Sequence, residues 1–167
     1  MKLQFTTLLF LLTTYLAGAQ DALNISDFAI LNQTNWEGQL TYKDYQSGKM
    51  TSIDATMQIT INGKKITSKI QYTYEPNKNN TSSVKIKKNG TYYGNEKIID
   101  NTMTAGTRTF VTTYDGRDNK KKATMYITHQ FSESIYKVMK EVQYHDSNER
   151  FVRNTYEFNR IRNKKQI

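Results

Sequence analysis

"SIYKVMKEVQY", residues 134–144, admits two readings, and the fold turns on the choice. Ile135, Val138, Met139 and Val142 fall at i, i+3, i+4 and i+7, the stripe of an amphipathic helix. Tyr136, Val138, Val142 and Tyr144 instead share one face of a strand, with Lys140 in the middle of it. Ile, Tyr and Val favour the strand, while Lys-Met-Lys-Glu leans towards the helix. The neighbours decide. Short turns separate this stretch from a strand-like run on either side, and a lone helix would interrupt a meander of antiparallel strands. The strand reading is therefore taken, and Lys140 points into an apolar face.

Working outward, the clearest strand is 53–61. Ile53, Ala55, Met57, Ile59 and Ile61 alternate with Asp54, Thr56, Gln58 and Thr60. Asn62-Gly63 follows, a strong signal for a two-residue hairpin. That turn would pair Ile61 with Lys64, Ile59 with Ile66 and Ala55 with Ile70. Val84 and Ile86 alternate with lysines before Asn89-Gly90, a second hairpin that sets Ile86 opposite Tyr93. Strands are expected near 36–45, 52–62, 64–74, 82–88, 91–100, 107–115, 122–131, 134–144 and 150–160, with no helix among them. A break at Gly94-Asn95-Glu96 would turn nine strands into ten. Sequential strands with one polar face bury the other best by curling into a closed up-and-down barrel of about 8–10 strands, which also removes exposed edges. A two-sheet sandwich is the alternative.

The chain has 167 residues, enough for one domain. It opens with Lys2, an apolar stretch from Phe5 to Leu16, and Ala17-Gly18-Ala19. This is the pattern of a secretory signal peptide, 1–19, cleaved before Gln20. The stretch is too short to span a bilayer, which takes about 20 residues. An exported product, periplasmic or secreted, is expected, with no membrane span in the mature chain. Residues 20–35 form a lead, 36–161 the barrel domain and 162–167 a basic tail. There is no cysteine, so disulfides, thiol catalysis and Cys-ligated zinc are excluded. Net charge is +9. The basic residues cluster at Lys85, Lys87 and Lys88, at Lys120–Lys122, and from Arg160 to Lys165, a balance that favours anionic partners. Asn-x-Ser/Thr triplets start at Asn24, Asn32, Asn79, Asn80 and Asn89, in a chain so rich in asparagine that chance explains them equally well.

"TNWEGQLTY", 34–42, carries a Trp-x-Gly element and resembles the opening strand of calycin-type barrels: lipocalins, fatty-acid-binding proteins and nitrobindin-like domains. The meander and the "FVRNTYEFNR" ending, 151–160, also resemble small exported bacterial proteins of unassigned function. The calycin resemblance implies an interior that takes small apolar ligands. It implies too that Arg160 covers Trp36 in a cation–π closure of one barrel end. Two family features are missing: a C-terminal helix, and a helical lid between the first two strands, for which "DYQSGKMTS" is too short. The mouth would then be open, or plugged by residues 20–34.

Several polar residues share inward faces: Lys140, His129 after Ala123, Met125 and Ile127, Asp44 after Trp36, Leu40 and Tyr42, Asn154 between Val152 and Tyr156, and Arg108 before Phe110. A buried charge without a partner costs several kcal/mol. Each therefore needs a counter-ion, a ligand or solvent. Lys140, His129 and Asp44 are the candidate polar contacts for a small apolar or amphipathic ligand. Tyr42, Tyr72, Phe110, Tyr136 and Phe158 are candidates for the wall. A Lys140–Asp44 ion pair, or a core filled entirely by tyrosines, are the structural alternatives. His129 is also where haem would bind if the nitrobindin side of the resemblance held. The rest of that pocket has no match here, so no cofactor or metal is expected. His145 reads as a turn residue. No G-x-S-x-G, H-E-x-x-H, P-loop or paired-carboxylate pattern is present, so no enzyme is expected. Export argues against a nucleic-acid partner. The alternative function is a cell-envelope module binding anionic polysaccharide or lipid head groups through basic loop tips.

Overall fold

A computed structural model describes residues 22–162, and the expected signal peptide and most of the basic tail lie outside this range. A short 3-10 helix, Ile25–Leu31, precedes the strands. These are β1 (Thr34–Lys43), β2 (Met50–Asn62), β3 (Lys65–Tyr72), β4 (Asn80–Lys87), β5 (Tyr92–Tyr93), β6 (Glu96–Thr104), β7 (Thr107–Asp118), β8 (Lys121–Phe131), β9 (Ile135–Tyr144) and β10 (Arg150–Arg160). All pair antiparallel in chain order, and β1 closes on β10. The stretch 134–144 is thus a strand. Val142 is fully buried on its inner face, opposite Met125 of β8.

The tenth strand arises where the break was expected. Gly94 adopts φ +66°, which a side chain disfavours, and the chain turns there from β5 into β6. The first hairpin differs from its expected register. Ile61 pairs with Ile66, Met57 with Ile70 and Ala55 with Tyr72, because the turn centres on Gly63-Lys64 instead of Asn62-Gly63. Both strands keep their inward sets, since the shift is even. The second hairpin pairs Ile86 with Tyr93 as expected. A bulge in β10 between Val152 and Asn154 breaks the expected alternation. Val152 is exposed, and Phe151 packs on Tyr144 instead.

The Trp-x-Gly element has a packing cause. Trp36 is fully buried, and its Nε1 donates to Thr34 Oγ1 (2.7 Å), which donates in turn to the Leu31 carbonyl (2.6 Å). Gly38 faces Phe158 on β10, and a Cβ there would lie 1.9 Å from the Glu157 carbonyl oxygen. Arg160 stands opposite Trp36, but the expected cation–π cover does not form. Its guanidinium reaches the Glu133 carbonyl instead (3.4 Å), and Tyr136 packs against the indole.

The N-terminal lead plugs this end of the barrel. Leu23, Phe28 and Leu31 are buried in the same core as Trp36, Phe110, Phe131 and Phe158. Polar latches hold the plug. Asp27 pairs with Arg108 at the start of β7 (2.9 Å), Asn32 Oδ1 accepts from the Ile61 N–H, and the Leu23 N–H reaches the Gly90 carbonyl. At the opposite end Asp118 gathers Tyr45, Tyr144 (3.0 Å) and Arg153 (3.4 Å). Below that cluster Ala123, Met125, Ile127 and Val142 fill the space beside β7–β9.

Candidate functional site

The wall is incomplete on one side. β5 contributes only two residues, and β6 pairs with β7 no further than Thr113. Tyr114–Asp118 of β7 therefore have a neighbour only on β8, and Asn80–Ser83 of β4 only on β3. The result is a notch between the two strands, floored by the Gly94-Asn95 turn. Behind it lies a cavity of about 460 Å³ whose rim is Ser82, Ser83, Gly94 and Asn95. Phe28 and Leu31 of the plug line it, as do Met57, Ile59, Ile66, Ile70, Val84 and Phe158.

Its larger polar groups come from five strands, β5, β6, β8, β9 and β10. His129 lies on the inner face of β8, only 8% exposed. One ring face stacks on Phe110, centroids 4.4 Å apart, and the Tyr93 ring lies 5.1 Å away. Neither imidazole nitrogen has a hydrogen-bond partner. Burial alone drives its pKa down to about 3, so the ring is neutral at physiological pH. Tyr93 and Glu96 stand opposite each other in the β5–β6 hairpin. Glu96 Oε2 accepts from the hydroxyl of the fully buried Thr112 (2.5 Å). The Tyr93 phenol is held well above its usual pKa by burial, then by Tyr136 and Glu96. Burial pushes Tyr136 to about 12, and burial plus the Tyr72 hydroxyl (2.8 Å) raises Tyr156. The chamber is thus apolar, with neutral phenols, a neutral imidazole and one carboxylate. A larger cleft, about 580 Å³, lies outside the barrel over Gly38, between Glu37, Asp54 and Glu157. It is an open polar groove with no buried polar group aimed into it.

The cavity brings together only part of the expected set. His129, Tyr136 and Phe158 line it. Phe110 backs His129, and Tyr72 acts through Tyr156. Tyr42 is half-buried on β1 opposite Asn154, away from the lining. Lys140 points inward, two residues beyond the lining residue Val138, but its Nζ turns to the Tyr114 hydroxyl (3.3 Å). Asp44 is not with it. β1 ends at Lys43, and Asp44 caps the exposed turn that follows, accepting from the Gln46 N–H and the Ser47 hydroxyl. Those bonds hold its carboxyl below the usual range. Arg108 serves the plug. Glu96, Tyr93 and Tyr156 join the site from outside the expected set, although Glu96 falls two residues before the inward Ile98. Among the described residues no three His, Asp or Glu side chains converge as a metal site, and no helix is long and apolar enough to cross a membrane.

The closed ten-stranded up-and-down meander is the barrel architecture that the calycin resemblance implies. No family model matches the sequence, and no curated protein is significantly similar to it. Among solved structures, a mutant of the fluorescent protein UnaG aligns over 84% of this chain and 100% of its own, at 11% identity and TM-score 0.39. A protein of unknown function from the DUF3598 family, from Nostoc punctiforme, aligns over 84% of this chain and 50% of its own, at 12% identity and TM-score 0.36. At this distance neither says what the present chain binds.

Proposed function

We propose that this protein is an exported, non-catalytic carrier that holds a small apolar or amphipathic ligand inside the barrel. The observation that carries this reading is His129. A buried polar group without a partner costs stability, and here two unpaired nitrogens border a cavity walled largely by apolar side chains. A ligand that bonds them recovers that cost. A carrier fits the same residue better than a catalyst does. A base titrating near pH 3 is a poor proton acceptor for work at neutral pH. The experiment is native mass spectrometry with an absorbance scan, on chain exported by a bacterial host. Bound mass that leaves on denaturation, and that is missing from His129→Phe, is expected. A bare mass together with no uptake of apolar probes would overturn the reading.

A second reading is supported by the outer face of β3 and β4. Lys65 and Lys85 stand directly opposite each other, a disfavoured like-charge pair, and neither is in an ion pair among the described residues. An anionic polysaccharide of the cell envelope would relieve that repulsion. At the β7–β8 turn Lys121 already has Asp146 at 3.8 Å. Binding through this face would weaken steeply with salt and with Lys65→Ser/Lys85→Ser. Salt-insensitive binding would exclude it.

A further inference from the structure

We propose that the polar end of the interior ligand is a hydrogen-bond donor, a hydroxyl or N–H group, and not a carboxylate. The inference rests on the carrier reading and assigns the chemistry of its site. Glu96 is the one charged residue in the cavity lining among the described residues. Its carboxylate is oriented by the buried Thr112 hydroxyl on one oxygen. The two inward-facing cations, Arg108 and Lys140, are turned elsewhere. Arg108 is engaged by Asp27 and Asn101, and Lys140 by Tyr114. A ligand carboxylate entering this chamber would meet a like charge in a low-dielectric space with no lysine or arginine lining it. A donor meets complementary groups. Glu96 only accepts, and the neutral imidazole of His129 accepts through one nitrogen and donates through the other. A hydroxyl satisfies both, donating to one and accepting from the other, while the apolar body lies against Met57, Ile59 and Ile66.

Long-range charge works in the opposite direction, which makes the question sharp. The chain is strongly basic, and Lys65, Lys85 and Lys87 flank a cleft just outside the same rim. Overall electrostatics would therefore draw a fatty anion in, and only the local chemistry of the cavity would reject it.

The test compares decanol with decanoate, read by fluorescence of Trp36. It is the single tryptophan and packs on Tyr136, which lines the cavity. Decanol is expected to bind at least tenfold more tightly than decanoate. Glu96→Gln is expected to narrow the gap at least threefold, chiefly by admitting decanoate. Decanoate binding as well as decanol, or a gap unchanged in Glu96→Gln, would overturn the donor assignment while leaving the carrier reading in place. Binding of neither would overturn both. The wild-type comparison stands even where the variant fails to fold.

Discussion

His129 lies flat on Phe110, with ring planes 7° apart, and both of its nitrogens are buried without a partner. A buried side chain left unsatisfied in this way costs about 1–3 kcal/mol relative to an apolar replacement of the same shape. Phenylalanine is close in shape and continues the stack. His129→Phe should therefore be more stable than the wild type by about 1–3 kcal/mol in urea unfolding, while losing affinity for the interior ligand. A less stable variant would mean that the imidazole serves the fold.

The same burial gives a pH signature. The folded imidazole titrates near 3, against 6.5 as the ordinary value. Between those values the unfolded chain holds a proton that the folded chain does not. Stability is full above pH 6.5 and falls as pH drops towards 3, by about 1.4 kcal/mol per pH unit. Between pH 7 and pH 5 this amounts to about 2 kcal/mol, a loss that His129→Phe should not share. Urea midpoints of both proteins at the two pH values measure it. Equal losses would mean that His129 titrates as it does in the unfolded chain.

Gly38 is fixed by the closeness of β10. A methyl group there would sit 1.9 Å from a carbonyl oxygen of the backbone, which cannot swing aside as a side chain can. Gly38→Ala should cost more than about 3 kcal/mol or prevent folding, in the range that signals a single steric cause. Gly116→Ala is the control. Its nearest neighbour would be 3.4 Å away on the Tyr114 ring, and its effect on the thermal midpoint should be small.

Asp27 ties the plug to the barrel through Arg108, and both side chains are mostly buried. Removing the carboxylate leaves the guanidinium with Asn101 as its remaining acceptor. Breaking a buried pair from one side costs about 3–5 kcal/mol, less where solvent reaches it. Asp27→Ala should thus lower stability by about 2 kcal/mol. Amide exchange should quicken first at 23–31, ahead of β8 and β9. Uniform acceleration would show that the plug and the barrel unfold together.

The meander was legible because its information is local. Alternation in 53–61, glycine turns and the even spacing of hairpins each act within a few residues. The hairpin neighbours of 134–144 settled what its own composition left open. The site was less legible because it depends on where strands stop. Asp44 follows Tyr42 at strand period, yet β1 ends at Lys43 and the period no longer applies. Glu96 joins Tyr93 only through the short β5–β6 hairpin, and the notch exists only because β6 ends its pairing with β7 at Thr113. Arg160 found its cross-strand partner Trp36, but a long side chain is free to choose a nearer acceptor.

Lys140 separates position from participation. It occupies the inward face that the alternation gives it, and its ammonium has a tyrosine hydroxyl and the edge of solvent as company, with no carboxylate in ion-pair range among the described residues. A half-buried lysine so placed contributes little electrostatic stability, and methionine matches its stem. Lys140→Met should therefore leave stability within about 1 kcal/mol of the wild type, on the stabilising side. Decanol affinity should stay within twofold, whereas His129→Phe lowers it. Trp36 fluorescence titrations of the two variants side by side make the comparison. Loss of binding in Lys140→Met would extend the site past Val138 towards Tyr114, and would mean that the ligand reaches up the barrel beyond the notch.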